Sequence, residues 1–157
     1  MRVLGIDPGS RRIGYGVIEH GAAPRLIDAG LVPITASRDP EALVELRARL
    51  LELVARHEPE LVGIERLCFT KNRTTGIAVG QARGVIVECL QAQGVRIAEL
   101  TPNEVKQGVT GSGSAPKAAV AKMVRLILGM HGAALVDDAT DALAIALVAA
   151  QRARTGV

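Results

Sequence analysis

The strongest constraint on the fold is a pattern that occurs twice: a short apolar run around one glycine that closes on a carboxylate. It appears as Val3-Leu4-Gly5-Ile6-Asp7, ended by the tight turn Pro8-Gly9-Ser10, and again as Leu61-Val62-Gly63-Ile64-Glu65. Each run reads as a buried strand. A helix separates them, and strand–helix–strand implies parallel pairing, so Asp7 and Glu65 fall at the same edge of one sheet. Alone, Asp7 could simply cap its own turn. Two carboxylates at one strand edge are harder to explain, because desolvation and mutual repulsion oppose them unless a cation sits between.

The 157 residues read as a single domain, 1–157, with room for a real core. Apolar residues make up 48% of the chain, yet the only aromatics are Tyr15 and Phe69, so the core must be Leu, Val, Ile and Ala. Residues 13–18 form a second strand, close enough to pair with the first as a hairpin, and Gly21-Ala22-Ala23-Pro24 turns the chain into a third, 26–34. A helix follows, with Asp39 as N-cap, Pro40 in its first turn, and Leu43, Leu46, Leu50 and Leu53 at spacings of three and four. His57 and Pro59 mark its end, and His57 is expected to be a solvated last-turn residue. After Glu65 come a basic loop, 66–73, and a helical stretch to about residue 93. A fifth strand, 95–100, leads into a short helix opened by Thr101-Pro102-Asn103-Glu104 and carrying Lys106. Gly111-Ser112-Gly113-Ser114 reads as a mobile loop whose Ser114 caps a helix over 115–130, and His131 as a loop residue.

The last helix begins near Val136-Asp137-Asp138. Asp137 and Asp138 compete to cap it, while Asp138 and Asp141, three apart, share a face. Asp7, Glu65, Asp138 and Asp141 thus make a set of oxygen donors without His or Cys, the choice for hard cations, Mg2+ or Mn2+. Two such ions can clamp a phosphodiester, one aiming the attacking hydroxide and the other stabilising the leaving 3′ oxygen. Lys71, Arg73, Lys106, Lys117 and Lys122 would hold the backbone of a long polyanion. The net charge of +3 permits such a partner without requiring it. Phe69, in the loop with Lys71, Asn72 and Arg73, suits stacking on a base, worth about 1–3 kcal/mol, or else packs back under the loop. The resulting expectation is a metal-dependent nuclease of the α/β class with ribonuclease H-like topology. Its five-stranded mixed sheet, three antiparallel strands then two parallel, is flanked by helices.

Several features bear on context. Gly76, Gly80 and Gly84 repeat every four residues along a helix, at a cost of about 1 kcal/mol each, so the face they bare calls for close approach of another helix, within the chain or across a dimer. Cys68 and Cys89 show no metal-ligand or disulfide spacing, which points to a reducing cytoplasm. No apolar run is long enough for a membrane span.

The chain resembles the RuvC family of Holliday junction resolvases along nearly its whole length. The stretches that carry the resemblance are Leu4 to Ser10 with Gly14-Tyr15-Gly16-Val17, Ile64-Glu65, Gly80-Gln81-Ala82-Arg83-Gly84, Val105-Lys106-Gln107, Gly113-Ser114-Ala115-Pro116-Lys117, and Asp138-Ala139-Thr140-Asp141-Ala142-Leu143-Ala144. The resemblance implies that Asp7, Glu65, Asp138 and Asp141 are the catalytic acidic residues and that Lys106 and Lys117 lie near the DNA backbone. It implies a homodimer that nicks a four-way junction symmetrically, leaving 5′-phosphate and 3′-hydroxyl ends. It further implies that the glycine-bearing helix lies at or near the dimer contact and that a branch-migration motor of the RuvA and RuvB type is a partner. The family usually has an aromatic three residues after the catalytic glutamate; here Cys68 stands there and Phe69 follows, which makes Phe69 the expected junction wedge. The Asp-Pro-Gly hairpin also looks like the first phosphate loop of sugar-kinase, actin and Hsp70 ATPases, but this chain has no room for their second lobe. A non-catalytic junction binder would not need all four carboxylates. A ribonuclease H-like nuclease acting on RNA would lack the later motifs.

Overall fold

The computed structural model describes residues 1–9, 12–36, 39–66, 73–130, 132 and 135–155. Along the chain run β1 (Arg2–Asp7), β2 (Ile13–Glu19), β3 (Arg25–Val32), α1 (Asp39–His57), β4 (Leu61–Glu65), α2 (Arg73–Ala92), β5 (Arg96–Leu100), α3 (Pro102–Thr110), α4 (Lys117–Ile127) and α5 (Asp137–Thr155). The strands form one sheet in the order β3-β2-β1-β4-β5. β1 pairs antiparallel with β2 and β2 with β3, whereas β4 runs parallel to β1 and β5 parallel to β4. This is the mixed sheet expected from the connection lengths.

Side chains alternate across a strand, so each strand sorts its residues onto two faces. Leu4, Ile6, Ile13, Val17, Val62 and Ile64 point to the face covered by α1 and α2, where Leu46, Leu50, Leu53, Ile86 and Leu90 meet them. Val3, Ile18, Leu61 and Leu100 point to the other face, covered by α3, α4 and α5. By the same alternation Gly5 and Asp7, and Gly63 and Glu65, lie on the α5 face.

That second face carries a row of minimal side chains. Gly5 stands opposite Gly16 on β2 and beside Gly63 on β4, and the row continues to Ala29 and Ala98. Helix α5 beds into it with its own small residues: Ala139, Ala142, Ala144, Ala146 and Ala149 are fully buried. A Cβ at Gly5 would collide with the Ala142 carbonyl, and one at Gly63 would come within 2.8 Å of the Ala149 methyl. At Gly5 glycine is required by the closeness of two backbones, and at Gly63 by the closeness of the α5 side chains.

Local signals explain most boundaries. Thr101 caps α3 in a capping box, its hydroxyl accepting from the Glu104 N–H while the Glu104 carboxylate accepts from the Thr101 N–H at 2.7 Å. Three expectations need correction. His57 is not solvated: it is 7% exposed, and its Nε2 lies 3.0 Å from Asp28 Oδ2, an oxygen that also accepts the Tyr15 hydroxyl. Packing of the α1 end onto the edge strand buries it. Helix α4 begins at Lys117 behind Pro116 and ends at Ile127, so Ser114 does not cap it; the Ser114 hydroxyl instead meets that of Ser112 at 3.2 Å. The glycine–serine loop is also tied to α3, with Gln107 accepting from the Gly113 N–H at 2.9 Å and donating to the Gly111 carbonyl at 2.8 Å. His131 lies outside the described residues. No described helix is long and apolar enough to cross a membrane.

Candidate active site

Asp7 and Glu65 end adjacent parallel strands, one residue beyond the paired Ile6 and Ile64. Neighbouring strands are about 4.8 Å apart, so carboxylates on one face at this level cannot avoid each other. The glycine row decides what joins them. Helix α5 starts against Gly14, the partner of Asp7 on β2, where a Cβ would collide with the Asp138 carbonyl. The first turn of α5 is thereby lowered onto the strand ends. Its first hydrogen bond runs from the Thr140 N–H to the Val136 carbonyl, so Val136 occupies the cap position and neither Asp137 nor Asp138 does. Asp138 and Asp141 are left free to face the sheet edge.

The electrostatics show the crowding. The Asp7 carboxyl is pushed up to about 7, first by burial and then by the charges of Glu65, Asp141 and Asp138, with Lys117 opposing. Burial and Asp141 also raise the Glu65 carboxyl, against the pull of Lys106. Two cations reach in from distant segments. Lys117, at the start of α4, places Nζ 2.8 Å from Asp141 Oδ2 and 3.9 Å from Asp137 Oδ2, and the bond to Asp141 raises its ammonium above the usual lysine range. Arg12, just past the β1 turn, places Nε 2.9 Å from Asp138 Oδ2. Sequence spacing gave no sign of Arg12, whose pairing exists only once α5 has docked.

The donor chemistry fits a hard divalent cation, since every acidic group here offers oxygen and the cluster is strained by its own charge. The carboxylates are near enough to repel, yet among the described residues no three His, Cys, Asp or Glu side chains converge tightly enough to hold a metal as they stand. Two of the four carboxylates are engaged by cations of the chain itself, Asp141 by Lys117 and Asp138 by Arg12.

Of the residues expected to contact a polyanion, Lys106 and Lys117 act on this cluster. Lys122 does not; it lies on the exposed side of α4, beside a shallow depression shared with Arg125, Leu126 and Met130. Cys68, Phe69, Lys71 and Asn72 lie outside the described residues, as does the side chain of Arg73. Cys89 is free and buried. At Gly84 a Cβ would meet nothing within 4 Å, so among the described residues no helix of this chain covers that position.

Comparison with known proteins agrees with the geometry. Residues 3–149 match the family model for crossover junction endodeoxyribonuclease RuvC. The chain is 43% identical over 157 residues to a crossover junction endodeoxyribonuclease RuvC from Chloroflexus aggregans, covering 99% of this chain and 96% of that one. It is 44% identical over 149 residues to one from Moorella thermoacetica, covering 94% and 89%. Among solved structures it is similar to T. thermophilus RuvC in complex with Holliday junction substrate, at 38% identity and a TM-score of 0.92 over 99% of this chain and 96% of that chain. A yeast mitochondrial Holliday junction resolvase, 14% identical with a TM-score of 0.72 over 95% of this chain and 78% of that chain, shares the fold.

Proposed function

The chain belongs to the crossover junction endodeoxyribonuclease RuvC family, and from that premise we propose that it is a metal-dependent endonuclease that resolves four-way (Holliday) DNA junctions in recombination and repair. It makes paired symmetric nicks, hydrolysing the phosphodiester to leave 5′-phosphate and 3′-hydroxyl ends. The observation that carries this reading is geometric: Asp7 and Glu65 end adjacent parallel strands on one face and the first turn of α5 is lowered onto them. The half-buried Asp7 carboxyl is thereby raised by burial and by the charges of Glu65, Asp141 and Asp138. Such a cluster disfavours the folded state unless it binds positive charge.

Asp7, Glu65, Asp138 and Asp141 are the residues that would hold two Mg2+ or Mn2+ ions. When bound, the ions would supply an activated water and compensation for charge on the leaving oxygen. Asp7 and Glu65, fixed on strand ends, set the floor of the site. Asp138 and Asp141, carried by α5, close it from above. Lys117 and Lys106 favour ionised carboxylates at Asp7 and Glu65 and offer ammonium groups to phosphate. Phe69, with Phe69 preferred over Cys68 as the wedge, joins Lys71, Asn72, Arg73 and Lys122 as further DNA contacts. The working form is a homodimer of single ribonuclease H-like domains, each spanning 1–157. It acts in the cytoplasm with a branch-migration motor of the RuvA and RuvB type.

The test is a nicking assay on a synthetic four-way junction, comparing wild type with Asp7→Asn, with and without Mg2+ or Mn2+. Paired, metal-dependent nicks by wild type are expected, with loss of cleavage but not of junction binding in the variant. Full cleavage by Asp7→Asn, or none by wild type with either metal, would sink the proposal.

A further inference from the structure

Arg83 stands between Gly80 and Gly84. It lies on α2, behind the sheet as seen from the acidic cluster, and its side chain is 17% exposed. Its Nε–H donates to the main-chain carbonyl of Glu65 at 3.4 Å, and its terminal nitrogen lies 2.8 Å from Glu99 Oε1. Glu99 is on β5 and points to the α2 face, between Ala98 and Leu100, which point to α5. Its other oxygen lies 3.7 Å from Arg66 Nε, while the Arg66 N–H donates to the Leu100 carbonyl at 2.7 Å. The backbone leaving Glu65 is therefore held by the β5 ladder on one side and by the Arg83 fork from behind.

The Glu65 carboxylate projects to the opposite face, toward α5. Burial and the charge of Asp141 raise that carboxyl, with Lys106 opposing, and Asp7 and Glu65 repel each other across the strand ends. Arg83 lies on the far side of the sheet from that carboxylate, and its contact with Glu65 is through the main-chain carbonyl. Ala82, beside it, is 1% exposed, so α2 sits close enough on the sheet for the guanidinium to reach a main-chain oxygen.

We propose that Arg83 is a positioning residue: its guanidinium, bridging the Glu65 carbonyl and the Glu99 carboxylate, fixes the end of β4 so that the Glu65 carboxylate stands in register with Asp7. This rests on the function proposed above for Glu65.

The experiment compares wild type, Arg83→Met, Arg83→Lys and Glu99→Gln in the full chain. Removal of a group that orients a metal ligand costs about 10–100-fold in metal affinity or activity. Arg83→Met is therefore expected to lower single-turnover junction cleavage and Mn2+ affinity by that order, with junction affinity in chelator and elution volume unchanged. Arg83→Lys should recover only part, since an ammonium cannot span both acceptors as a planar fork does. Independently of activity, amide hydrogen exchange at Arg66 should accelerate in Arg83→Met while Val62 to Ile64 keep wild-type protection. Unchanged Arg66 exchange together with unchanged Mn2+ affinity would overturn the proposal, as would acceleration spread evenly over β4, which marks general destabilisation. Wild type that binds Mn2+ but nicks no junction would overturn the proposed function instead, leaving Arg83 to be judged by exchange and affinity.

Discussion

The two faces of the sheet are buried by different means. Under α1 and α2 the strands offer Leu, Ile and Val, and the core is filled by interlocking side chains. Under α5 the central strands add a row of glycines to their apolar side chains, and at Gly5 and Gly14 helix and sheet meet backbone to backbone. Large side chains can relax around a lost methyl group or a neighbour's shift. A helix seated on glycines has no such slack, because main chain cannot be repacked. The rigid face is the one that carries the acidic cluster. The height of α5 above Gly5 and Gly14 sets where Asp138 and Asp141 stand relative to Asp7 and Glu65, so the precision needed for the site is supplied by the absence of side chains beneath it.

The largest effect should come from setting one face against the other. Gly5→Ala places a methyl group in the Ala142 carbonyl and forces α5 to lift. Overpacking ordinarily costs about 1–3 kcal/mol, occasionally more, and a backbone obstacle belongs at the top of that range or beyond. Leu50→Ala, at a fully buried position on the opposite face, should lose about 2–5 kcal/mol. The sharper difference lies in function. Folded Leu50→Ala should keep its Mg2+ or Mn2+ dependence, whereas any folded Gly5→Ala should bind metal far more weakly, because its acidic pairs have moved apart. Metal titrations on both variants at a temperature where each is folded would decide it. Wild-type metal affinity in Gly5→Ala would break the account of the glycine row.

The acidic face should also betray itself through pH. Asp7 is pushed up from 3.8 to about 7 in the folded protein. The folded state therefore holds a proton that the unfolded state has released over that window. Metal-free stability from this group is intact below the lower value, falls as pH rises through the window, and stays low above it. Asp7→Asn should remove that slope. With an allowance for residual solvent screening, it should melt above wild type by about 2 kcal/mol's worth of Tm at pH 8, and near parity at pH 4. Mg2+ should then raise the Tm of wild type and leave the variant almost unmoved. A wild-type Tm that climbs between pH 5 and 8 more steeply than that of Asp7→Asn would contradict the sign.

Much of this site is legible in the chain because its elements are local. Val3 to Asp7 and Leu61 to Glu65 announce strands that end in charge, and Asp138 and Asp141 share a helix face by spacing alone. What stays hidden is whatever depends on register between distant segments. Gly16, Gly5 and Gly63 become a row only after three strands align, so each reads alone as a mild weakness in a strand. His57 looks like a helix-end histidine until β3 supplies Asp28. Arg12, Lys117 and Arg83 look like surface cations until docking gives each an acidic or carbonyl partner. Ser114 fits the capping preference by type, but the chain enters α4 through Pro116 and Lys117.

The smallest predicted effect concerns a glycine of the other kind. Gly84 lies within α2, is exposed, and a Cβ there would meet nothing within 4 Å. In an isolated subunit, Gly84→Ala should therefore stabilise α2 by about 0.5–1 kcal/mol, since alanine gives up less backbone freedom in a helix and nothing obstructs it. If the glycines of α2 instead accept a second copy of the chain, the same methyl group falls in the interface and weakens association. The two contributions separate by concentration. Melting at low protein concentration should report the helix gain alone, and sedimentation at rising concentration should report the interface loss. A higher Tm at every concentration with unchanged dimerisation would mean that this face meets no partner at Gly84, and the proposed dimer contact would have to lie elsewhere on the molecule. A Tm gain when dilute that shrinks or reverses when concentrated would set Gly84 beside Gly5: glycine kept for the close approach of another backbone, there within the chain and here between chains.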